Sequence, residues 1–464
     1  MKIFSRGYKI IKKLYFLIYD FVICFLHLNK KNNQLKTKKR VIWLAETGSR
    51  DFIPRLAQAI SLWIDYQIPS LVIHKHFLKK LEKNILVDSV VIDKSATINC
   101  VRRLRYSKLN GSYNIVIPEE LLICDQSDEI IKGNLHTSTL RYVDAVVCDS
   151  KKIKNYLKII DNSIKTIKVL NPRLCFSLIE KNCKFFETKK NKIKKEFSNG
   201  YILINDKLSL KFSSYENEID MLKNNIFKST KINGKKYVDD LINQEENEEK
   251  LLINLIKKIR EEDLFKQLSI IIRPHPTVDI EKYSIYFKSK LDKSFNYSII
   301  REGTAVEWME SAVMTFHCNC TTAIEGYFKG LNNIYNFSSE FRKGTSEEFI
   351  NILNPLGLDS AILMAKQDYL NPSQNYSKSF LKNLTSNKYI YKFLGEEMKS
   401  GYKHTKFDYS LSNKFKNKNI KDYSVAQRWK DAEIRIKALG KNNKISKNLP
   451  IKTLGTIGVQ IGIK

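Results

Sequence analysis

Two stretches decide the fold: LSIIIRPHP at residues 268–276 and AVMTFHCNCTTAIEGYFKG at 312–330. Each opens on a short apolar run of strand length without helical period, which reads as a buried parallel strand. The first run, Leu268 to Ile272, passes at once into a polar loop holding Arg273 and His275. The second, Ala312 to Phe316, passes into a polar loop with Asn319 and then opens a helix through Thr321 to Lys329, carrying Thr322 and Glu325. Open α/β sheets gather ligands outside the carboxyl ends of their strands. One loop therefore offers a cation and an imidazole; the other offers hydroxyls, helix amides and a carboxylate. That chemistry suits a phosphorylated, sugar-bearing nucleotide.

The same alternation extends outward. Val41–Ala45 reads as the first strand, followed by Glu46, Arg50 and Asp51 and a helix from about Phe52 to Tyr66. Further strands fit 70–73, 89–92, 114–117, 145–148 and 165–170, with helical patterns between them. Residues 179–200, rich in Lys, Asn and Glu, read as a linker. A second series starts at Tyr201–Asn205 and continues, past a charged loop or lid at 206–232, through a helix at 235–262. It goes on through strand 268–272, a helix near 279–292, strand 298–301, a short helix at 306–311, strand 312–316 and strand 333–337. Strands alternating with helices imply a mostly parallel sheet in each half. The division expected is 1–38, 39–190, 198–395 and a basic, partly helical tail at 396–464. Two Rossmann-like halves facing across a cleft make this an α/β chain of glycosyltransferase-B (GT-B) type.

Composition sets outer bounds. At 464 residues the chain exceeds one ordinary core, and 43% apolar residues suffice for globular folding. The net charge of +31 is concentrated in part at the ends, with eleven Lys or Arg against Asp20 in residues 1–40 and sixteen against six acids in 396–464. No zinc-finger spacing or RNP-type aromatic motif accompanies it, so nucleic acid is not an expected partner. Eight cysteines without a CxxC pair point to reduced thiols in a cytoplasmic protein, and the lone Cys318-x-Cys320 does not make a metal site; no metal and no cofactor are expected. Leu14 to Leu28 is apolar but interrupted by Asp20 and His27, and falls short of the roughly 20 residues of a membrane span. With its flanking lysines and tyrosines it reads as an amphipathic helix lying on an anionic membrane surface. Packing on the protein's own core is the second reading, and a true membrane span the third.

Prolines on both sides of His275 hold its backbone out of a helix and aim the imidazole from a rigid loop. There it can donate to a phosphate or stabilise a departing nucleotide, unless it is a histidine bonded within its own turn. Arg273 offers two-pronged phosphate contact. Thr321 and Thr322 stand at a helix amino terminus, suited to an anion, to capping by Asn319 or Thr321, or to both. Glu325 can accept from ribose hydroxyls or stand as an exposed helix carboxylate. In the first half, Glu46, Arg50, Asp51, Glu119 and Glu120 follow strands and would face the cleft, where Glu46, Asp51 or Glu119 is a base for an acceptor hydroxyl. A helix-start charge for Asp51 and a solvated loop for Glu119 and Glu120 are the alternatives. Asn171-Pro172-Arg173 forms another strand-end loop, with Arg173 touching the donor or the acceptor, or bridging the halves.

With these motifs assembled, the chain resembles the bacterial surface carbohydrate (polysaccharide) biosynthesis proteins, and more distantly the capsule Kdo transferases and CDP-glycerol polymerases. The landmarks are ETGSRDF at 46–52, IPEELL at 117–122, NPR at 171–173, YILIND at 201–206, RPHP at 273–276 and HCNCTTAIEGYFKG at 317–330. They span about residues 40–340, and the last two are the most specific. Pro118, Leu121, Leu170 and Leu331-Asn332 depart from the family pattern, mostly where the acceptor would bind. The resemblance implies a GT-B fold, sugar transfer in envelope polysaccharide assembly, and a place for His275, Thr321, Thr322 and Glu325 on the nucleotide-sugar side. The reading that follows is a metal-independent glycosyltransferase at the inner face of the cell membrane, taking a nucleotide-sugar donor and a glycan or lipid-linked acceptor. A nucleotide-sugar 2-epimerase, or a non-catalytic nucleotide- or glycan-binding member of an assembly complex, would use the same fold.

Overall fold

The computed structural model describes residues 35–46, 51–81, 83–119, 121, 128–148, 150–176, 183–213, 234–292, 294–341, 347–371, 389–398, 451–453 and 458–461. The expected surface helix at 14–28, Arg50, Glu120, most of the loop at 206–232 and the expected helix around 424–439 lie outside them.

The first half supplies β1 (Arg40–Ala45), β2 (Ser70–His74), β3 (Ser89–Asp93), β4 (Tyr113–Val116), β5 (Ala145–Val147) and β6 (Lys165–Ile167). They are parallel, in the order β2-β1-β3-β4-β5-β6. The second half supplies β7 (Tyr201–Asn205), β8 (Ser269–Arg273), β9 (Tyr297–Ile299), β10 (Met314–His317) and β11 (Ile334–Asn336). These too are parallel, in the order β11-β10-β7-β8-β9. Central strands such as β1 and β7 are buried along their whole length, which is why they read as unbroken apolar runs rather than alternating ones. The strand order reverses between β1 and β3 in one sheet and between β7 and β10 in the other, the positions where loops diverge and leave a crevice. This is the GT-B-like, two-sheet α/β architecture that the alternation of strands and helices implied.

Three segments differ from expectation. The stretch expected as a linker contains the helix Cys183–Glu196. It lacks Pro and Gly, is rich in helix-favouring Lys and Glu, and buries Ile193 in a core shared with Val306 and Met309. Lys189 and Lys190 pair with Glu302 and Glu310, binding it to the second half. The basic tail contributes β12 (Ile451–Thr453) and β13 (Gly458–Ile461) to the first sheet, β13 running antiparallel to β2 and β12 antiparallel to β13. The backbone of β13 pairs with the open edge of β2, which would otherwise present a free row of donors and acceptors. The helix Ile390–Met398 returns to the first half, packing on the helix Ile53–Tyr66, with the Tyr391 N–H donating to Gln58 Oε1 at 3.4 Å.

One apolar core runs through both halves, taking in Trp43, Leu56, Phe176, Trp308, Ile324 and Leu394. Gly326 allows a close approach within it: a Cβ there would stand 2.4 Å from Ile334 Cδ1 and 3.1 Å from Met309 Sδ. The helix Thr322–Phe328 therefore lies low against β11, bringing its first residues to the seam between the halves. Among the described residues, no helix is long and apolar enough to cross a membrane.

Candidate functional site

At the second sheet's switch point the strand-end loops enclose a cavity of about 390 Å³, within the range of roughly 300–1,000 Å³ usual for small-molecule sites. Its wall includes Asn205–Lys207 after β7, Arg273–Pro276 after β8, Arg301 after β9 and Asn319–Thr322 after β10. The long helix Gly234–Glu261 closes one side with Leu241, Gln244, Glu245 and Glu248. Arg173 and Glu325 complete it. Of the residues singled out from sequence, Arg173, Arg273, His275, Asn319, Thr321, Thr322 and Glu325 are thus brought together.

His275 lines the cavity with its Nδ1 2.8 Å from Thr277 Oγ1 and 3.4 Å from the Thr277 amide nitrogen. An amide N–H can only donate, so Nδ1 accepts and the neutral ring carries its proton on Nε2. The ring is thus bonded within its own turn through Nδ1, the second of the two sequence readings. Arg173 donates from Nε to Glu325 Oε1 at 2.7 Å and from Nη2 to Thr321 Oγ1 at 3.3 Å. It bridges the halves and places a guanidinium across the base of the helix Thr322–Phe328.

Two expected ligand groups are already committed. Arg273 donates from Nη1 to the Glu302 carbonyl at 2.6 Å and from Nη2 to the Gly303 carbonyl. Its fork therefore braces a loop rather than offering itself to phosphate. Asn319 has φ 49°, and its amide donates to Ser338 Oγ at 3.0 Å and the Glu340 carbonyl at 2.6 Å. It pins the loop after β11 instead of capping the following helix. Nor does Thr321 cap that helix through its side chain. Glu325 is buried in its pair with Arg173 and is not an exposed carboxylate.

The first half's carboxylates form a cluster of their own. Glu119, expected to face the cleft, is sealed against Arg55 on the helix Ile53–Tyr66 at 2.6 Å, with side chains 2% and 0% exposed. Burial pushes its carboxyl above the ordinary value, with Arg55 pulling the other way. A base shut away from solvent cannot meet an acceptor hydroxyl, whatever its proton affinity. Asp51 is likewise buried and accepts from the Glu46 amide at 3.1 Å. Glu46, 30% exposed, pairs with Lys75 and Lys94. Burial opposes its ionisation, but the two lysines hold its carboxyl well below the usual range.

Sequence reasoning missed Asp206, Lys207, Arg301, Glu245 and Glu248. Asp206 was within reach: it follows β7 as His275 follows β8, inside the quoted YILIND. It is buried and accepts from the Leu208 amide at 3.1 Å, the Tyr283 hydroxyl and the His275 amide. Burial pushes its carboxyl up to about 7 even though these bonds favour the ionised form. Lys207 pairs with Glu248 at 2.9 Å. Glu245 receives the amides of Ser209, Leu210 and Lys211 at 2.9–3.0 Å. Both glutamates lie in a helical run of acids that carries no local sign of a site. Among the described residues, no group of three or more His, Cys, Asp or Glu side chains is placed to hold a metal ion.

No family model matches the chain, and no curated protein does. Among solved structures it is similar to the UDP-GlcNAc 2-epimerase from Methanocaldococcus jannaschii at 13% identity, over 78% of this chain and 97% of that one, with a TM-score of 0.41. It is also similar to the UDP-GlcNAc 2-epimerase from Neisseria meningitidis bound to UDP-GlcNAc, at 11% identity, 77% and 97% coverage and a TM-score of 0.42. A third is the wall teichoic acid polymerase TagF, at 11% identity, 82% and 97% coverage and a TM-score of 0.45.

Proposed function

We propose that the chain is a glycosyltransferase of envelope polysaccharide assembly that holds a nucleotide-activated sugar in the second sheet's cavity. The observation that carries the reading is the convergence of His275, Thr321, Thr322 and Arg173 on one cavity at a switch point, beside the seam between the halves. In this reading the donor's phosphate lies against the imidazole Nε2–H and the threonine hydroxyls. The bond between the sugar's anomeric carbon and the phosphate oxygen breaks, and its electron pair leaves with the phosphate. Fixed donors stabilise the charge that develops there, usually the largest single contribution to such catalysis. The acceptor hydroxyl forms the new bond and gives up its proton to a base. Of Glu46, Asp51 and Glu119, Glu46 has the exposure to receive it, at the cost of weak basicity.

The cavity also holds Asp206, Glu245, Glu248 and Glu325 beside a histidine, a setting that a 2-epimerase would need. Each of the four is engaged by protein donors, which favours transfer. A nucleotide sugar incubated alone separates the two, since only an epimerase converts it without an acceptor. The segment expected at 1–38 is read as the anchor to anionic lipid up to Leu35, where the chain joins the first half's core; co-sedimentation with anionic vesicles tests it.

The primary test is calorimetry of the full chain with CMP, CDP, UDP and GDP. One of them should bind, and at 100 times its Kd should stabilise the protein by about 2.7 kcal/mol. His275→Ala should weaken that binding. If none of the four binds, the assignment fails.

A further inference from the structure

The Pro-His-Pro loop is held by a crossed exchange between neighbouring strand ends. Arg273, closing β8, donates to the carbonyls of Glu302 and Gly303 after β9. Arg301, after β9, donates back from Nη1 to the carbonyls of Pro276, at 3.4 Å, and Val278. On the other flank the Asp206 amide donates to the Arg273 carbonyl at 3.2 Å, and the Asp206 carboxylate accepts the His275 amide. The Tyr283 hydroxyl, on the helix Ile280–Lys290, fixes that carboxylate in turn. The backbone carrying the imidazole is thus gripped at residues 273, 275, 276 and 278 by Asp206 after β7 and Arg301 after β9. Two flanking prolines would already restrict the loop, so three additional clamps exceed what closing a turn requires.

We propose that Asp206 and Arg301 are positioning residues for His275: they set the loop so that Nδ1 accepts from Thr277 and the ring proton sits on Nε2. The inference rests on the donor-site reading given above and adds to it the means by which the imidazole is held. Small misplacements of a positioned group can cost about a hundredfold in rate, so a braced loop has a functional purpose. Neither residue is assigned a contact with substrate.

The test uses the full chain labelled with ¹⁵N at histidine, of which there are seven. Long-range proton–nitrogen spectra should show His275 as the Nε2–H tautomer. Asp206→Ala and Arg301→Gln should each move or broaden the His275 ring signals while the other assigned histidines hold, and Asp206→Asn and Arg301→Lys should largely restore them. Binding of UDP, CDP, CMP or GDP, whichever is found, should weaken about tenfold in the Ala and Gln variants. In a His275→Ala background the same changes should add less than about twofold, because residues acting as one unit are not additive. An unmoved His275 spectrum in both variants overturns the proposal, as does a full independent loss in the His275→Ala background. If no nucleotide binds, the functional reading fails while the ring spectrum still decides the clamp. Should Asp206→Ala not fold, Arg301→Gln carries the test.

Discussion

The two switch points have the same topological origin and opposite contents. Between β7 and β10 the strand-end loops leave a cavity of about 390 Å³. Between β1 and β3 the corresponding loops bring charges onto one another: Glu46 with Lys75 and Lys94, Arg55 with Glu119, and Asp93 with Arg103. Strand order alone therefore creates the opportunity for a site, and side chains decide whether it stays open. In the second half the crevice is kept open by backbone clamps that draw polar side chains into the loops. Among the described residues of the first half, ion pairs stand where the loops diverge, and Arg173 is what that half lends to the cavity.

The largest expected effect breaks the closed switch point. Arg55→Ala strands Glu119 in the interior, and removing one partner of a buried pair typically costs about 3–5 kcal/mol. Urea denaturation at neutral pH should show that loss. Arg55→Met with Glu119→Leu should recover much of it, since both charges then vanish together. A loss below about 1 kcal/mol would mean that the pair does not hold the first half's loops.

Next is the bond joining the two regions. Arg173→Ala deprives Glu325 of a 2.7 Å charged hydrogen bond, worth about 1.5–3 kcal/mol. It should also weaken nucleotide binding, whereas Arg55→Ala should leave the nucleotide affinity of the folded fraction unchanged. Equal effects on binding from the two variants would erase the distinction between the switch points.

A pH-dependent effect, gradual rather than abrupt, follows from Asp206, faced by Tyr283, the amides of Leu208 and His275, and Glu245. Its carboxyl is raised from 3.8 to about 7, so between those values the folded chain keeps a proton that the unfolded chain has lost. Stability should therefore fall as pH rises through that window, by at most about 1.4 kcal/mol per unit. Asp206→Asn should flatten this component of the pH profile. An unchanged slope would show that Asp206 is ionised throughout, and that the open switch point carries a permanent negative charge.

The order and identity of most strands were legible because buried parallel strands write themselves as apolar runs, as in 41–45, 201–205 and 268–273. The cavity wall was legible where residues adjoin such a run, which is how His275, Thr321 and Thr322 were found. What could not be read is how polar groups spend their bonds. Arg273 and Asn319 carry the residue types of a phosphate site, yet their partners are carbonyls and a side chain 19–30 residues away. Glu119 looks solvent-facing beside Glu120 until Arg55, 64 residues earlier, is folded over it. The tail strands escaped notice because β13 is short and owes its pairing to the open edge of β2.

The smallest effect separates the two kinds of ion pair within the closed switch point itself. Glu46 is partly exposed, so its pairs with Lys75 and Lys94 are screened by solvent, and Glu46→Gln should cost under about 1 kcal/mol. Because its carboxyl is held below the ordinary 4.5, the stabilisation is present above that value and disappears as pH falls. The wild-type and Glu46→Gln denaturation profiles should accordingly converge in acid and part above about pH 5. The variant should also leave nucleotide affinity intact while slowing transfer to the acceptor, if Glu46 is the group that receives the acceptor's proton. Transfer at the wild-type rate would remove Glu46 from the mechanism and leave the first half to contribute Arg173 and a surface for the acceptor, with its charges serving only to close the loops.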